Sequence, residues 1–289
     1  MLENKEITAL FHLIDDPDEE VFNSVTDRIV SFGNAILPNL EDLWEKTPDE
    51  NLQERIAQII HKLQFRDLVE EFMAWKNGPA DLLQGAMLLC KYAHPEANQI
   101  TTLQEIEKMR RNIWLELNSY LTPLEQTNVI SGILYSYYKI AGNEISYDIS
   151  EDFLLTKLIE NKRGNAISNG ILYLILSEML DIPTKAIQIP QQFILGYFDL
   201  EYKYPHPVVQ QSEKISFFID PLNGQVYSQK DVDNYFNRIE SEPLASYYQP
   251  LDNIKIIQHL LIEYSKCYSA DSAAYKKNDL LALAKLLSD

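Results

Sequence analysis

Apolar residues recur at helical spacing from the N-terminus to Pro183 and follow a different period beyond it. Before Pro183, apolar side chains return every three to four residues, which is the spacing of amphipathic helices. After it, residues 184–189, 193–198 and 215–219 are rich in β-branched and aromatic side chains, which predicts three strands. Residues 254–287 return to helical spacing in two stretches. The pattern therefore predicts a predominantly helical α+β fold with a small antiparallel sheet and a short helical tail.

Turn signals divide the N-terminal stretch into short helical hairpins. The Thr-Pro-Asp-Glu run that begins at Thr47 predicts a helix start, with Thr47 as N-cap and Glu50 closing a capping box. The run that begins at Thr122 is a second start of the same kind. The hairpin pattern is similar to that of HEAT-type repeats, with about two units present. So few repeats do not form a stable array alone, so we expect them to pack on the next domain.

The Gly78-Pro79 dipeptide is the strongest boundary signal in the chain. It predicts a helical HEAT-like unit at residues 1–78 and a core at residues 79–240. Residues 241–289 then form a C-terminal helical pair, similar to a tetratricopeptide remnant, which we expect to cap the core.

The segment from residue 160 to residue 193 is predicted to be the centre of the core. Residues 161–165 are polar and contain a glycine, so they predict a loop. Ser168 or Asn169 is the expected N-cap of the helix that follows. That helix is apolar almost all round, which indicates burial between other layers. Pro183 prevents the helix from continuing.

Four short motifs surround this helix. They are Arg163-Gly164, Leu180-Asp181-Ile182-Pro183, Pro190-Gln191-Gln192-Phe193 and Ile219-Asp220-Pro221-Leu222-Asn223-Gly224. Together they resemble the bacterial SirB-type branch of the transglutaminase-like proteins, which have a papain-type core. In that family the motifs read Arg-Gly, Leu-Gly-Leu/Ile-Pro, Pro-Gly-His-Phe and Ile-Asp-Pro-Phe-Asn-Gly. The resemblance implies a papain-type core and an active site built from cysteine, histidine and aspartate.

The chain departs from that family pattern at two of the three catalytic positions. The cysteine position holds Ala166, the histidine position holds Gln192, and only Asp220 is retained. A thiol acyl-transfer site needs a thiolate and a base that takes its proton. Alanine carries no nucleophile, and a glutamine amide does not titrate near neutral pH. The resemblance therefore implies the scaffold of such an enzyme with vestigial positions and no standard catalytic residues.

Other polar residues near this region are candidates for binding a ligand. The candidates are Asn165, Ser168, Gln191, Gln192, His206 and Asp220. For Asp220 a role in a turn before Pro221 is favoured over catalysis, and for Ser168 a capping role is favoured over that of nucleophile. His206 is the one histidine expected to approach the cleft.

The remaining reactive residues give no recognisable site. Cys90 and His94 are spaced i, i+4, but Cys90 follows an apolar run and is expected to be a buried structural thiol. Cys267 matches no motif. The five histidines have no metal-ligand spacing, and no nucleotide-binding loop is present, so neither a metal nor a cofactor is predicted.

The formal net charge of −18 disfavours nucleic acid and anionic membranes as partners, because both bind basic surfaces. The chain has no run of eighteen apolar residues and only two cysteines, and its first residues lack the pattern of a secretory signal. These features predict a reduced, cytoplasmic protein. The oligomeric state stays open.

Three functions follow as hypotheses. The favoured one is a catalytically inactive scaffold or regulator, whose vestigial cleft binds a peptide or a partner protein. The second is a hydrolase or acyl transferase with a non-standard set of residues, such as His206, Ser168 and Asp220. The third is an adaptor that binds partners through its helical repeats.

Overall fold

The computed structural model describes residues 5–95, 97–198, 214–268 and 274–288. The fold is α+β and predominantly helical, as the sequence predicts. The chain divides into two compact units, Met1–Met73 and Ala74–Asp289. The finer division at residues 78 and 240 stays a prediction.

The first unit is helical. Its elements are α1 (Lys5–His12), α2 (Glu19–Val30), α3 (Leu37–Lys46) and most of α4 (Glu50–Asn77). One face of each helix contributes to a common apolar core, whose fully buried members are Ile14, Ile36, Leu40, Ile56, Ile59 and Leu63.

The start of α4 differs from the sequence prediction. Asp49 is the capping residue, because its carboxylate accepts a hydrogen bond from the Leu52 N–H at 2.9 Å. The Thr47 hydroxyl instead donates to the Leu43 carbonyl at 2.7 Å, at the end of α3. The prediction of Thr47 as N-cap was therefore wrong, although the helix does start at Glu50.

The second unit contains the remaining helices. They are α5 (Leu82–Ala93), α6 (Gln99–Glu116), α7 (Pro123–Ser131), α8 (Leu155–Asn161), α9 (Ala166–Met179), α10 (Gln229–Arg238), α11 (Asn253–Ser265) and α12 (Ala274–Ser288). Thr122 and Glu125 form the predicted capping box at the start of α7. A π-helical segment, Gly132–Tyr137, follows α7 directly.

Two small sheets accompany these helices. In the first, β1 (Ala141–Asn143) pairs in parallel with β2 (Arg163–Asn165). The second is antiparallel in the order β3-β4-β5-β6. Its strands are β3 (Thr184–Ile189), β4 (Gln192–Phe198), β5 (Ile215–Ile219) and β6 (Val226–Tyr227). The three predicted strands are confirmed as β3, β4 and β5, whereas the loop predicted at residues 161–165 was wrong in part, because β2 lies there.

Helix α9 is the centre of the second unit, as the sequence predicts. Its residues from Ile167 to Ser177 are all buried. It contacts β3 and β4 on one side and α5, α6 and α8 on others. The opposite face of the antiparallel sheet packs on α10, through a core that includes Ile187, Phe218 and Phe236. The sheet is therefore a layer between α9 and α10.

Candidate functional site

The start of α9 is fixed by a capping box in which Asn165 is the N-cap. The Asn165 side-chain oxygen accepts hydrogen bonds from the N–H groups of Ile167 and Ser168, at 2.9 and 3.1 Å. The Ser168 hydroxyl accepts from the Asn165 N–H and donates to the Asp152 carbonyl at 2.6 Å. The prediction of Ser168 or Asn169 as N-cap was wrong, because the helix begins earlier, at Ala166. Ser168 is buried and its hydroxyl is occupied within the cap.

Ala166 is the first residue of α9 and is partly exposed. Residues four apart lie on the same face of a helix, so Ala166 shares a face with Gly170. A Cβ added at Gly170 would lie 2.7 Å from Phe193 Cε1 and 3.3 Å from Pro221 Cβ. The face of α9 that carries Ala166 is therefore the face against which the residues next to Gln192 and Asp220 pack.

Gln191 and Gln192 lie at the tip of the β3-β4 hairpin. Gln192 pairs with Ile189 across a two-residue turn formed by Pro190 and Gln191. The backbone of Gln191 is left-handed, with φ of 61°, and so is that of Asp181 after α9, with φ of 56°. The family motifs have glycine at these two positions, and glycine adopts a left-handed conformation most readily. This agreement supports the alignment that assigns Gln192 to the histidine position.

Asp220 follows β5 in a tight turn. Its carboxylate accepts a hydrogen bond from the Leu222 N–H at 2.8 Å, and its carbonyl accepts from the Gly224 N–H at 2.8 Å. The hydroxyl of Tyr135, in the π-helical segment, donates to the Pro221 carbonyl at 2.8 Å. Asp220 therefore has the turn role that the sequence favours, and the turn is anchored to the π-helical segment.

A cavity of about 440 Å³ lies beside this turn, on the α10 side of the sheet. Both Gln192 and Asp220 line it, whereas Ala166 is not among its described lining residues. Successive side chains of a strand point to opposite faces, so Phe193 faces α9 while Gln192 faces the cavity. The full lining consists of Ile189, Gln192, Ile194, Asp220, Tyr227, Asp231, Val232, Asn234, Tyr235 and Arg238.

The cavity has an apolar floor and a polar rim. Ile189 and Val232 are buried, while Gln192, Asn234 and Arg238 are exposed. The described lining contains no thiol, no imidazole and no aliphatic hydroxyl. Among these residues there is thus no pair of nucleophile and base. Sequence reasoning missed the wall that α10 contributes, because exposed polar residues of an amphipathic helix carry no chemical motif.

His206, a candidate from the sequence, lies outside the described residues. His259 of α11 was not a candidate, yet its ring stacks on Phe193, with centroids 5.7 Å apart. Its Nδ1 lies 3.3 Å from the Gln188 amide nitrogen. Burial lowers the pKa of His259, partly offset by the Glu263 carboxylate. This imidazole is on the α9 side of the sheet and does not line the cavity.

Neither cysteine is placed or poised to replace the missing thiol. Cys90 is buried in α5, and its burial raises the pKa of the thiol. Burial and the Asp148 carboxylate raise the pKa of Cys267 to about 11. Neither lines the cavity beside Gln192. Both thiols therefore lack the low pKa that a nucleophilic cysteine needs.

Comparison with known proteins identifies the family of the chain. The family model described as transglutaminase-like superfamily matches residues 100–262, and the chain belongs to this superfamily. The similar curated proteins are of the SirB1 and YchA type, as the resemblance implies. UPF0162 protein YchA of Escherichia coli K12 is 23% identical over 185 residues, and Protein SirB1 of Salmonella typhimurium LT2 is 22% identical over 185 residues.

Each of these matches covers 63% of this chain and 64% of the relative, so the chain spans a little under two thirds of their length. A UPF0162 protein of Vibrio cholerae is 23% identical over 149 residues, which is 52% of this chain and 51% of that protein. No solved structure shows significant similarity. In the part of the chain that the structure describes, no helix is both long and apolar enough to cross a bilayer.

Proposed function

We propose that this chain is a non-catalytic member of its superfamily, which acts as a cytoplasmic scaffold or regulator by binding a peptide segment of a partner protein in the cavity beside Gln192. The observation that carries the proposal is the composition of the vestigial site. Alanine and glutamine occupy positions 166 and 192, while Asp220 and an open cavity persist. Without a thiol and an imidazole at these positions, Asp220 has no proton relay to orient.

The cavity has the properties of a peptide-binding cleft. Its volume of about 440 Å³ lies within the usual range for ligand sites. The side chains of Gln192 and Asn234 have no hydrogen-bond partner among the described residues. An amide offers both a donor and an acceptor, which is what the backbone of an extended peptide requires. The apolar floor of Ile189 and Val232 is suited to an aliphatic side chain of the same peptide.

A pull-down from an extract of the source cells tests this proposal, with the full chain as bait. Gln192→Arg places a larger, charged side chain at the cavity, so we expect a partner that the wild type retains to be lost. Gln104→Arg is the matched control, because Gln104 is exposed on α6 and does not line the cavity. Retention of the same partners by all three proteins would contradict a role for the cavity.

The two alternatives have weaker support. For a hydrolase, Ser168 is a poor nucleophile, because it is buried and its hydroxyl is bonded within the helix cap. For an adaptor, an exposed apolar surface is needed on the first unit. The large apolar side chains that its described residues expose are Leu13, Trp44 and Met73, each only about 40% exposed. The HEAT-like character of this unit stays a prediction.

A further inference from the structure

We propose that the cavity beside Gln192 takes the basic side chain, lysine or arginine, of the bound peptide, with its aliphatic stem on the apolar floor and its cationic end between Asp220 and Asp231. This inference rests on the proposed peptide-binding function and names the chemistry of the ligand. It is carried by the arrangement of apolar, aromatic and acidic groups within one cavity.

The two carboxylates line the same cavity, together with Tyr227. After burial, the charges of Asp220 and Asp231 are the next causes that raise the pKa of Tyr227, which agrees with this placement. The two acids come from different elements, since Asp220 follows β5 whereas Asp231 lies in the first turn of α10. Their placement in one cavity is thus a property of the fold and is not a run of acidic residues in the sequence.

Each carboxylate is positioned by the protein and keeps spare acceptor capacity. Asp220 accepts from the Leu222 N–H. Asp231 accepts at one oxygen from the N–H and hydroxyl of Ser228, at 2.8 and 2.7 Å. A carboxylate has about four acceptor sites, so the bonds described leave room for a ligand. Held in place by these bonds, the two groups are prepared to receive an ammonium or guanidinium group without rearrangement.

No cation of the described chain neutralises these two acids directly. Arg238 lines the same cavity, but its guanidinium lies over the ring of Tyr235, 5.4 Å from the centroid. Among the described residues, neither Asp220 nor Asp231 has a lysine or arginine nitrogen within 4.0 Å. The hydrogen bonds from Ser228 lower the pKa of Asp231 most, and the charge of Lys230 is the smallest of the causes. The cavity therefore contains two acids without an ion-pair partner among the described residues, and its one lining cation, Arg238, lies over Tyr235.

The apolar and aromatic residues of the cavity favour a ligand side chain that has a long aliphatic stem. Ile189, Ile194 and Val232 present aliphatic surface beside the acids. Lysine and arginine are the side chains that join a long aliphatic stem to a cationic end. The ring of Tyr227 also lines the cavity, and aromatic rings attract cations. A negatively charged peptide side chain would instead be repelled by Asp220 and Asp231.

The test uses the immobilised full chain and three libraries of randomised, acetylated and amidated heptapeptides. The central residue of each library is fixed as lysine, norleucine or glutamate. We expect the lysine library to be retained about tenfold more than the norleucine library, which corresponds to about 1.4 kcal/mol. The glutamate library should be retained least. Higher salt should reduce the preference for lysine, because the interaction is electrostatic.

Two variants test whether the cavity causes the preference for lysine over norleucine. Asp231→Asn should remove most of the preference for lysine over norleucine. Asp233→Asn is the matched control, because this exposed acid of α10 does not line the cavity and should leave the preference unchanged. Equal retention of lysine and norleucine with peptides still bound, or better retention of glutamate, would overturn the inference and leave the proposed function standing. Absence of retention in all three libraries would overturn both.

Discussion

The imidazole of His259 stacks on the ring of Phe193, with the ring planes within 7° of parallel. Phe193 in turn packs against Gly170 of α9. A residue of the C-terminal tail is thereby connected to the central helix through the strand that carries Gln192. Burial lowers the pKa of His259, which favours the neutral imidazole in this contact.

The stability of the second unit should consequently depend on pH through His259. The folded pKa lies below the unfolded value of about 6.5. As pH falls through that value, the unfolded chain binds a proton that the folded protein resists, so the free energy of unfolding falls. We expect urea denaturation at pH 7.5 and pH 5.0 to show this loss, and His259→Gln to show a smaller one. Equal losses in both proteins would contradict the assignment to His259.

Close packing at Gly170 gives a second prediction. Alanine favours helix formation over glycine by about 1 kcal/mol, yet the new Cβ would meet Phe193 at 2.7 Å. Because overpacking costs about 1–3 kcal/mol, we expect Gly170→Ala to lower the free energy of unfolding. Gly132→Ala is the control, since a Cβ at Gly132 meets no atom within 4 Å. A stabilised Gly170→Ala protein would show that α9 does not pack on the sheet as described.

The anchoring of the Asp220 turn gives a third prediction. Tyr135→Phe removes the hydroxyl that donates to the Pro221 carbonyl at 2.8 Å. Tyr135 is partly buried, so loss of this hydrogen bond should cost about 0.5–1.5 kcal/mol. We expect a lower urea midpoint and weaker retention of the cavity's partner. Tyr137→Phe is the matched control, because Tyr137 is 67% exposed. Equal effects of the two substitutions would argue against this anchor.

Thiol reactivity provides a fourth test. The pKa of Cys267 is raised from 9.0 to about 11, so its thiolate fraction at neutral pH is about 100-fold smaller than that of an ordinary thiol. Cys90 is only 2% exposed. Iodoacetamide should therefore label the folded protein at least about 100-fold more slowly than the urea-denatured protein. Labelling of either cysteine in the folded chain as fast as in the denatured chain would reveal a nucleophile that this account lacks.

Sequence patterns predicted the longer strands well, but they missed the short strand β2 and the N-cap of α9. Residues 184–189 and 215–219 match β3 and β5 in full, because alternation and β-branched residues are strong local signals. Strand β2 was missed because its three residues depend on pairing with residues 141–143, which no local pattern encodes. The N-cap at Asn165 was also missed, because the polar run at residues 161–165 predicts a loop and does not mark a helix start at Ala166.

At the candidate site, contacts between residues far apart in the chain could not be predicted from the sequence either. The motifs around Gln192 and Asp220 could be read from the sequence, and both residues do line one cavity. The contact of His259 with Phe193 joins residues far apart in the chain. The side of the cavity formed by α10 exists only because this helix packs on the sheet. A sequence indicates which side chains are present, whereas tertiary packing decides which of them meet.

The proposed function depends most on the absence of acyl-transfer chemistry. The most direct measurement incubates the purified full chain with a glutamine-containing peptide and a fluorescent primary amine, and follows both amine incorporation and peptide cleavage. We expect neither product above the level seen without protein. Turnover that co-purifies with the chain and is abolished by Asp220→Asn would contradict the central claim.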